Sequence, residues 1–289
     1  MVNGKLSDKS ISTFFGLVKM VVASAVNSEG EEMFPRKWDH EFIELPVVDS
    51  TEQRRPTFSS KSIELMLNNV TPGSIKKLAD PKAAEEKVED NTSNATLRML
   101  IILAAASGMR LGEILGLSNS NVSEDGTVLT IIEKVYRGEV QDFLKTKNGK
   151  RLVDLDPPVG KMLREFIGNR TGLVFCTRTG KPISQSNLLK RHLHPLLREL
   201  KMDVCGAHAF RRFRTTHLRK RRAPEGLVQF WLGHAGKSIT DGYDRVREDV
   251  EYRKEVARAV GLRFTIPAVV AQTVQRIEKE VEEKIAVSA

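Results

Sequence analysis

The sequence predicts a mainly α (α+β) protein, a helical domain that carries a small antiparallel β-sheet. Three observations predict it. Apolar residues recur at three- and four-residue steps over most of the chain, the period of a helix with one buried face. One central block breaks that period: VLTIIEKVY at 128–136 is rich in β-branched residues, and DFLKTKNGKRLVDL at 142–155 places Asn148-Gly149 between strand-like flanks. Asn-Gly is the strongest short hairpin-turn signal, because both residues tolerate positive φ. After Pro157-Pro158 the helical period returns, interrupted by LVFCTRTGKPIS at 173–184, which reads as a short strand and turn.

The elements follow in order. Ile11, Phe14, Phe15, Val18, Val21, Val22 and Ala25 predict one amphipathic helix ending near Gly30. Pro35, Pro46 and Pro56 mark residues 31–57 as a linker. Helices are expected over 59–69 and 95–106, separated by a polar surface excursion, and Ser107-Gly108 breaks the second. In MRLGEILGL, Arg110 and Glu113 lie three apart on one face of a short helix. Lys145 and Lys147 fall near the tip of the expected hairpin. Ser184 or Ser186 can cap SNLLKRHLHPLLREL, which Pro195 should kink or split. Two helical blocks surround AFRRFRTTHLRKR and GLVQFWLG. The division expected is a helical remnant with linker at 1–53, a main domain at 54–264 and a C-terminal helix at 265–289, where Val270, Val274, Ile277, Val281 and Ile285 form a stripe.

The net charge of +9 favours a polyanionic partner, and its distribution says more than its size. Between His208 and Arg222 stand Arg211, Arg212, Arg214, Arg219, Lys220, Arg221 and Arg222, with no acid among them. Of these, Arg212, Arg214, Arg219, Lys220, Arg221 and Arg222, with Lys147, are the expected DNA contacts. No apolar run reaches the ~20 residues of a membrane span, and MVNGKLSDKS has no apolar stretch resembling a signal peptide. The expected compartment is therefore the cytoplasm, or the nucleoid. Two cysteines, Cys176 and Cys205, argue against a disulfide scaffold. His192, His194, Cys205 and His208 have spacings that match no ordinary zinc finger, so no zinc site is expected.

The residues that carry chemistry are Arg110 in RLGE, Lys145, the HAFR pair His208 and Arg211, His234 in WLGH, and Tyr243 in DGYDRV. Each is unremarkable alone; their order is specific. Through GMRLGEILGL, LKTKNGKRLVDL, GKPIS, HAFRRFRTTHL, WLGH and DGYDRV, the chain resembles the tyrosine recombinase, or phage integrase, family from about Arg54 to Arg247. Phe210 and Arg212 stand where that family usually has Leu and a second His. The front of the chain resembles only the last part of the family's helical core-binding domain.

The resemblance implies site-specific breakage and rejoining of double-stranded DNA through a 3′-phosphotyrosine, by protomers that work as a tetramer on DNA, with neither metal nor cofactor needed. Arg110 and Arg211 would hold the nonbridging phosphate oxygens as bidentate forks, with His234 as a third donor. Tyr243 would attack, and His208 would accept its proton or position it. Lys145, with Lys147 in reserve, would protonate the leaving 5′-oxygen. Glu113 would orient the cations. Two other readings stay open: a type IB topoisomerase, which resembles the family in fold and catalytic residues, and a decayed integrase that only binds DNA.

Overall fold

The computed structural model describes residues 6–35, 45–46, 56–70, 93–142, 149–177, 179–234 and 245–267. The chain falls into two units, residues 1–55 and 56–289. In the first, helix α1 (Asp8–Ala23) starts where the Ser7 hydroxyl accepts from the Ser10 N–H. It ends at Ser24, short of the Gly30 expected from its apolar period. The reason is local. The Asn27 side-chain oxygen accepts from the N–H groups of Glu29 and Glu31, Gly30 takes a positive φ of 85°, and the chain reverses into a Val26–Glu32 bridge. Such side-chain-to-backbone bonds offer the chain an alternative to helix.

In the second unit, α2 (Ser60–Asn69) and α3 (Asn94–Ser107) are capped by Ser59 and Ser93. Apolar residues surround α3 on all sides, and every residue from Leu97 to Ser107 is buried. Helices with that composition lie inside a domain rather than on it. Around α3 pack α2, α4 (Leu111–Leu115), α5 (Pro157–Ile167) and α8 (His208–Lys220). Arg98, the buried cation of α3, donates to the carbonyls of Leu67 and Val70 at the end of α2 and to Pro267 O. Phe210 of α8 is buried with its ring 4.5 Å from that of Phe58, which accounts for an aromatic at this position.

The strands are β1 (Val128–Ile131), β2 (Lys134–Tyr136), β3 (Glu139–Gln141) and β4 (Arg151–Asp154). They form two antiparallel pairs, β1 with β4 and β2 with β3. The block at 128–136, expected as one strand-like run, is two strands. The β2–β3 hairpin turns at Arg137-Gly138, both at positive φ, the geometry that suits a two-residue hairpin. The strand after Asn148-Gly149 exists as β4, and its described ladder partner is β1. Residues 143–148, with Lys145, Lys147 and Asn148, lie outside the described residues.

Beyond α5, Ser184 caps α6 (Gln185–Asn187), and a π-helical stretch over Leu188–Leu193 leads into α7 (His194–Glu199). Pro195 sits in the first turn of α7, where its missing N–H costs least, so the run changes helical geometry just before it. After α8 come α9 (Glu225–Leu232) and α10 (Val250–Val260). The expected C-terminal helix falls on residues 268–289, outside the described residues, as does the excursion at 71–92.

Candidate active site

The ends of α3 and α9 meet the first turn of α8 through Arg211, which bonds the carbonyls of Gly108 and Leu232. Gly108 ends α3 at φ +68°, and a Cβ there would meet Leu232 and Arg214 at 3.1–3.2 Å. The chain then turns so that Arg110 is the N-cap of α4 rather than a residue within it. The Glu113 carboxylate accepts from the Arg110 backbone N–H at 2.9 Å and from Arg110 Nη1 at 2.8 Å. Glu113 is buried, whereas the Arg110 side chain stays about a third exposed. A buried carboxylate therefore holds a cation that stays partly exposed.

Arg211 lies one turn into α8 from His208, as the H-x-x-R spacing implies. Its fork is divided: Nη1 donates to Gly108 O at 3.0 Å, and Nη2 to Leu232 O at 2.5 Å. Nη2 also lies 2.9 Å from His234 Nε2. Because a guanidinium can only donate, Nε2 is the acceptor wherever this contact is a hydrogen bond. The expectation that His234 is simply a third donor needs that refinement: Arg211 orients it. Burial, and then repulsion from Arg110, lower the Arg211 pKa to about 10, still fully charged at neutral pH.

His208 opens α8 with one side exposed. Burial of its other side, then the cations Arg211, Arg212 and Arg110, push its pKa below the ordinary imidazole value. It is neutral at pH 7 and able to take a proton. Burial alone would raise the Glu113 carboxyl, but the hydrogen bonds and charge of Arg151, with bonds from Arg110, outweigh it and hold the carboxyl below its usual value.

Arg151, the first residue of β4, received no role from the sequence. Its side chain is 1% exposed and bonds Glu113 through Nη2 at 2.8 Å and Nη1 at 3.2 Å. A second unanticipated network lies beside it. Asp154 accepts from Trp231 Nε1 at 2.7 Å and from Arg253 Nε at 2.9 Å, and Arg253 Nη1 donates to Arg247 O. Trp231 thus joins this buried network through its indole N–H. The one available signal was charge inside a strand with β-branched neighbours, where a buried ion must find partners.

The basic run divides. Arg214, among the residues expected to contact DNA, is 2% exposed and donates to Gly261 O as an internal cation. Arg212 is engaged with Pro56 O through Nε at 2.7 Å. Arg219 pairs with Glu225 at 3.1 Å, while Lys220, Arg221 and Arg222 line an open cleft with Tyr252. Tyr243, like Lys145 and Lys147, lies outside the described residues.

Among the described residues, three guanidiniums, Arg110, Arg151 and Arg211, thus lie around one carboxylate, Glu113, so positive charge exceeds negative there. Residues 74–249, more than half of the chain, match the profile of the phage integrase family. The chain belongs to that family. A tyrosine recombinase XerC-like protein of Caldanaerobacter subterraneus subsp. tengcongensis is 27% identical over 212 residues, covering 58% of this chain and 54% of that protein. Tyrosine recombinase XerD of Haemophilus influenzae is 24% identical over 183 residues, covering 57% and 58%. This phage integrase family chain therefore spans a little over half the length of the curated relatives it matches. Among solved structures it resembles the XerH site-specific recombinase bound to difH substrate, with TM-score 0.50 and 19% identity over 85% of this chain and 64% of that one. It also resembles the Tn1549 transposon integrase in complex with transposon right end DNA, with TM-score 0.50 and 15% identity over 82% and 75%. These two likenesses are of fold.

Proposed function

We propose that this chain is the catalytic part of a site-specific DNA recombinase or integrase, which breaks and rejoins double-stranded DNA through a 3′-phosphotyrosine at Tyr243. The observation that carries the reading is the set of contacts that joins Arg211 to His234 and Arg110 to Glu113, with Arg110 close enough to Arg211 to repel it. A phosphodiester bears its charge on two nonbridging oxygens, and forks fixed before the substrate arrives stabilise the added charge of attack without reorganisation. The Tyr243 oxygen bonds to phosphorus, the bond from phosphorus to the 5′-oxygen breaks, and His208 receives the phenol proton. A tyrosine with a reference pKa of ~10 gives up that proton more readily beside cations. Lys145 returns a proton to the leaving 5′-oxygen, with Lys147 the reserve. The bond energy stays in the phosphotyrosine, so reversal of the step rejoins the strand.

The type IB topoisomerase reading is not favoured, because the curated relatives are recombinases. Joining two duplexes takes four cleavages, which supports a tetramer on paired sites; trapped paired-site complexes holding fewer than four protomers would contradict it. No described helix is long and apolar enough to cross a membrane, which fits action on DNA in the cytoplasm. A substrate with sulfur in place of the bridging 5′-oxygen tests the proton step, since thiolate leaves without an acid. Lys145→Ala is expected to cleave ordinary DNA slowly and the sulfur substrate at close to the parent rate. Rescue confined to Lys147→Ala would move the acid two residues along.

A further inference from the structure

Arg151 has no part in the chemistry assigned above, yet its bonds reach three separate stretches of chain that border the site. Nη2 and Nη1 hold Glu113, the carboxylate that also holds Arg110. Nη1 donates to Gly149 O at 2.9 Å, at the end of the stretch containing Lys145 and Lys147. Nε donates to Trp231 O at 2.8 Å, three residues before His234. Between them, Gly233 lies against the guanidinium: a Cβ on it would come within 3.0 Å of Nη1 and 3.2 Å of Cδ, and its φ of +66° already favours glycine. The glycine of the L-G-H motif is thus fitted to Arg151.

A buried ion pair is an inefficient way to fill a strand position, because desolvation offsets most of the attraction and an apolar side chain would pack as well. Its presence calls for another role. We propose that Arg151 is a positioning residue for DNA cleavage, setting Arg110 through Glu113 and the backbone that leads into His234 through Trp231 O. The inference rests on the recombinase reading of the site. Without Arg151, Glu113 would pair with Arg110 alone and neutralise the cation offered to the phosphate. Lysine cannot replace it, since one ammonium does not span a carboxylate and two carbonyls as a planar fork does.

Arg151→Lys keeps the buried positive charge, so it tests geometry rather than charge balance. Covalent adduct formation at saturating DNA is expected to slow roughly 10- to 100-fold, with Kd within about twofold of the parent. The charged and titratable groups around Glu113 are Arg110, Arg151, Arg211 and His208. With the fork gone, the Glu113 carboxyl takes up its proton at higher pH, so the acid limb of the rate profile moves upward; a merely structural loss leaves it in place. Should the Lys variant not fold, Glu113→Gln combined with Arg151→Gln removes both buried charges, and a folded double variant is expected to be slowed at least as much. A parent protein that forms no adduct sinks the recombinase reading itself. A parent that does, beside a Lys or double variant within about twofold of its rate, overturns the positioning role alone. So does a slow Lys variant with an unmoved acid limb and weakened DNA binding.

Discussion

Glu113 and Arg211 show how single side chains can tie several turns together. Each satisfies several partners at once: Glu113 takes two guanidiniums and a backbone N–H, and Arg211 reaches two carbonyls and a histidine. Arg211→Lys keeps the charge but gives up this division of the fork. Its cleavage rate should fall roughly 100-fold or more, the scale of losing one fixed transition-state donor, with little change in DNA affinity. Single-turnover rates beside equilibrium binding would check it, and a loss confined to affinity would reassign Arg211 to general DNA grip. At this scale Arg110, Glu113, His208, Arg211 and His234 were legible because motif order names them. Arg151 and Asp154 were not, since a strand pattern does not reveal which charged residue points inward until β4 finds β1.

Among the elements, the α8–α10 junction carries the clearest pH dependence. The carbonyls of Val260 and Gly261, at the C-terminus of α10, accept from His217 Nε2 at 3.1 and 3.3 Å, and Gly261 O also accepts from Arg214. Cations and N–H donors are favoured at that end of a helix. Burial, then Arg214, lower the His217 pKa to about 4 despite those bonds, with Arg263 adding to the repulsion. The unfolded chain binds the proton near the ordinary value of ~6.5, so between the two values it holds more protons than the folded chain. Stability therefore falls as pH drops from about 6.5 toward 4. His217→Gln, which can still donate to Val260 O, should lose less melting temperature between pH 7 and pH 4.5 than the parent; equal losses would show that His217 does not titrate on folding. Most helices were legible from their period. The end of α1 was not, because the Asn27 turn competes with a period that continues through Ala25. Nor was the turn at Arg137-Gly138, because arginine seldom takes the positive φ found there.

Over the whole molecule, the open part of the basic run is narrower than the sequence count suggests. Arg212 and Arg214 are engaged internally, leaving Lys220, Arg221 and Arg222 as the open part of the run. Neutralising those three should flatten the log–log salt dependence of binding by roughly 0.9 for each phosphate that they had neutralised, whereas an unchanged slope would make the run merely solvated. The recombinase reading stands most directly on its nucleophile. The chain has three tyrosines, Tyr136, Tyr243 and Tyr252, and the cation-rich site is assigned only to Tyr243. The deciding measurement is covalent trapping on a nicked duplex that loses its 5′-hydroxyl fragment, made with each tyrosine changed singly to phenylalanine. A 3′-linked adduct is expected with the parent, Tyr136→Phe and Tyr252→Phe proteins, and none with Tyr243→Phe, which still binds the DNA. An adduct formed by Tyr243→Phe at the parent rate would contradict the assignment.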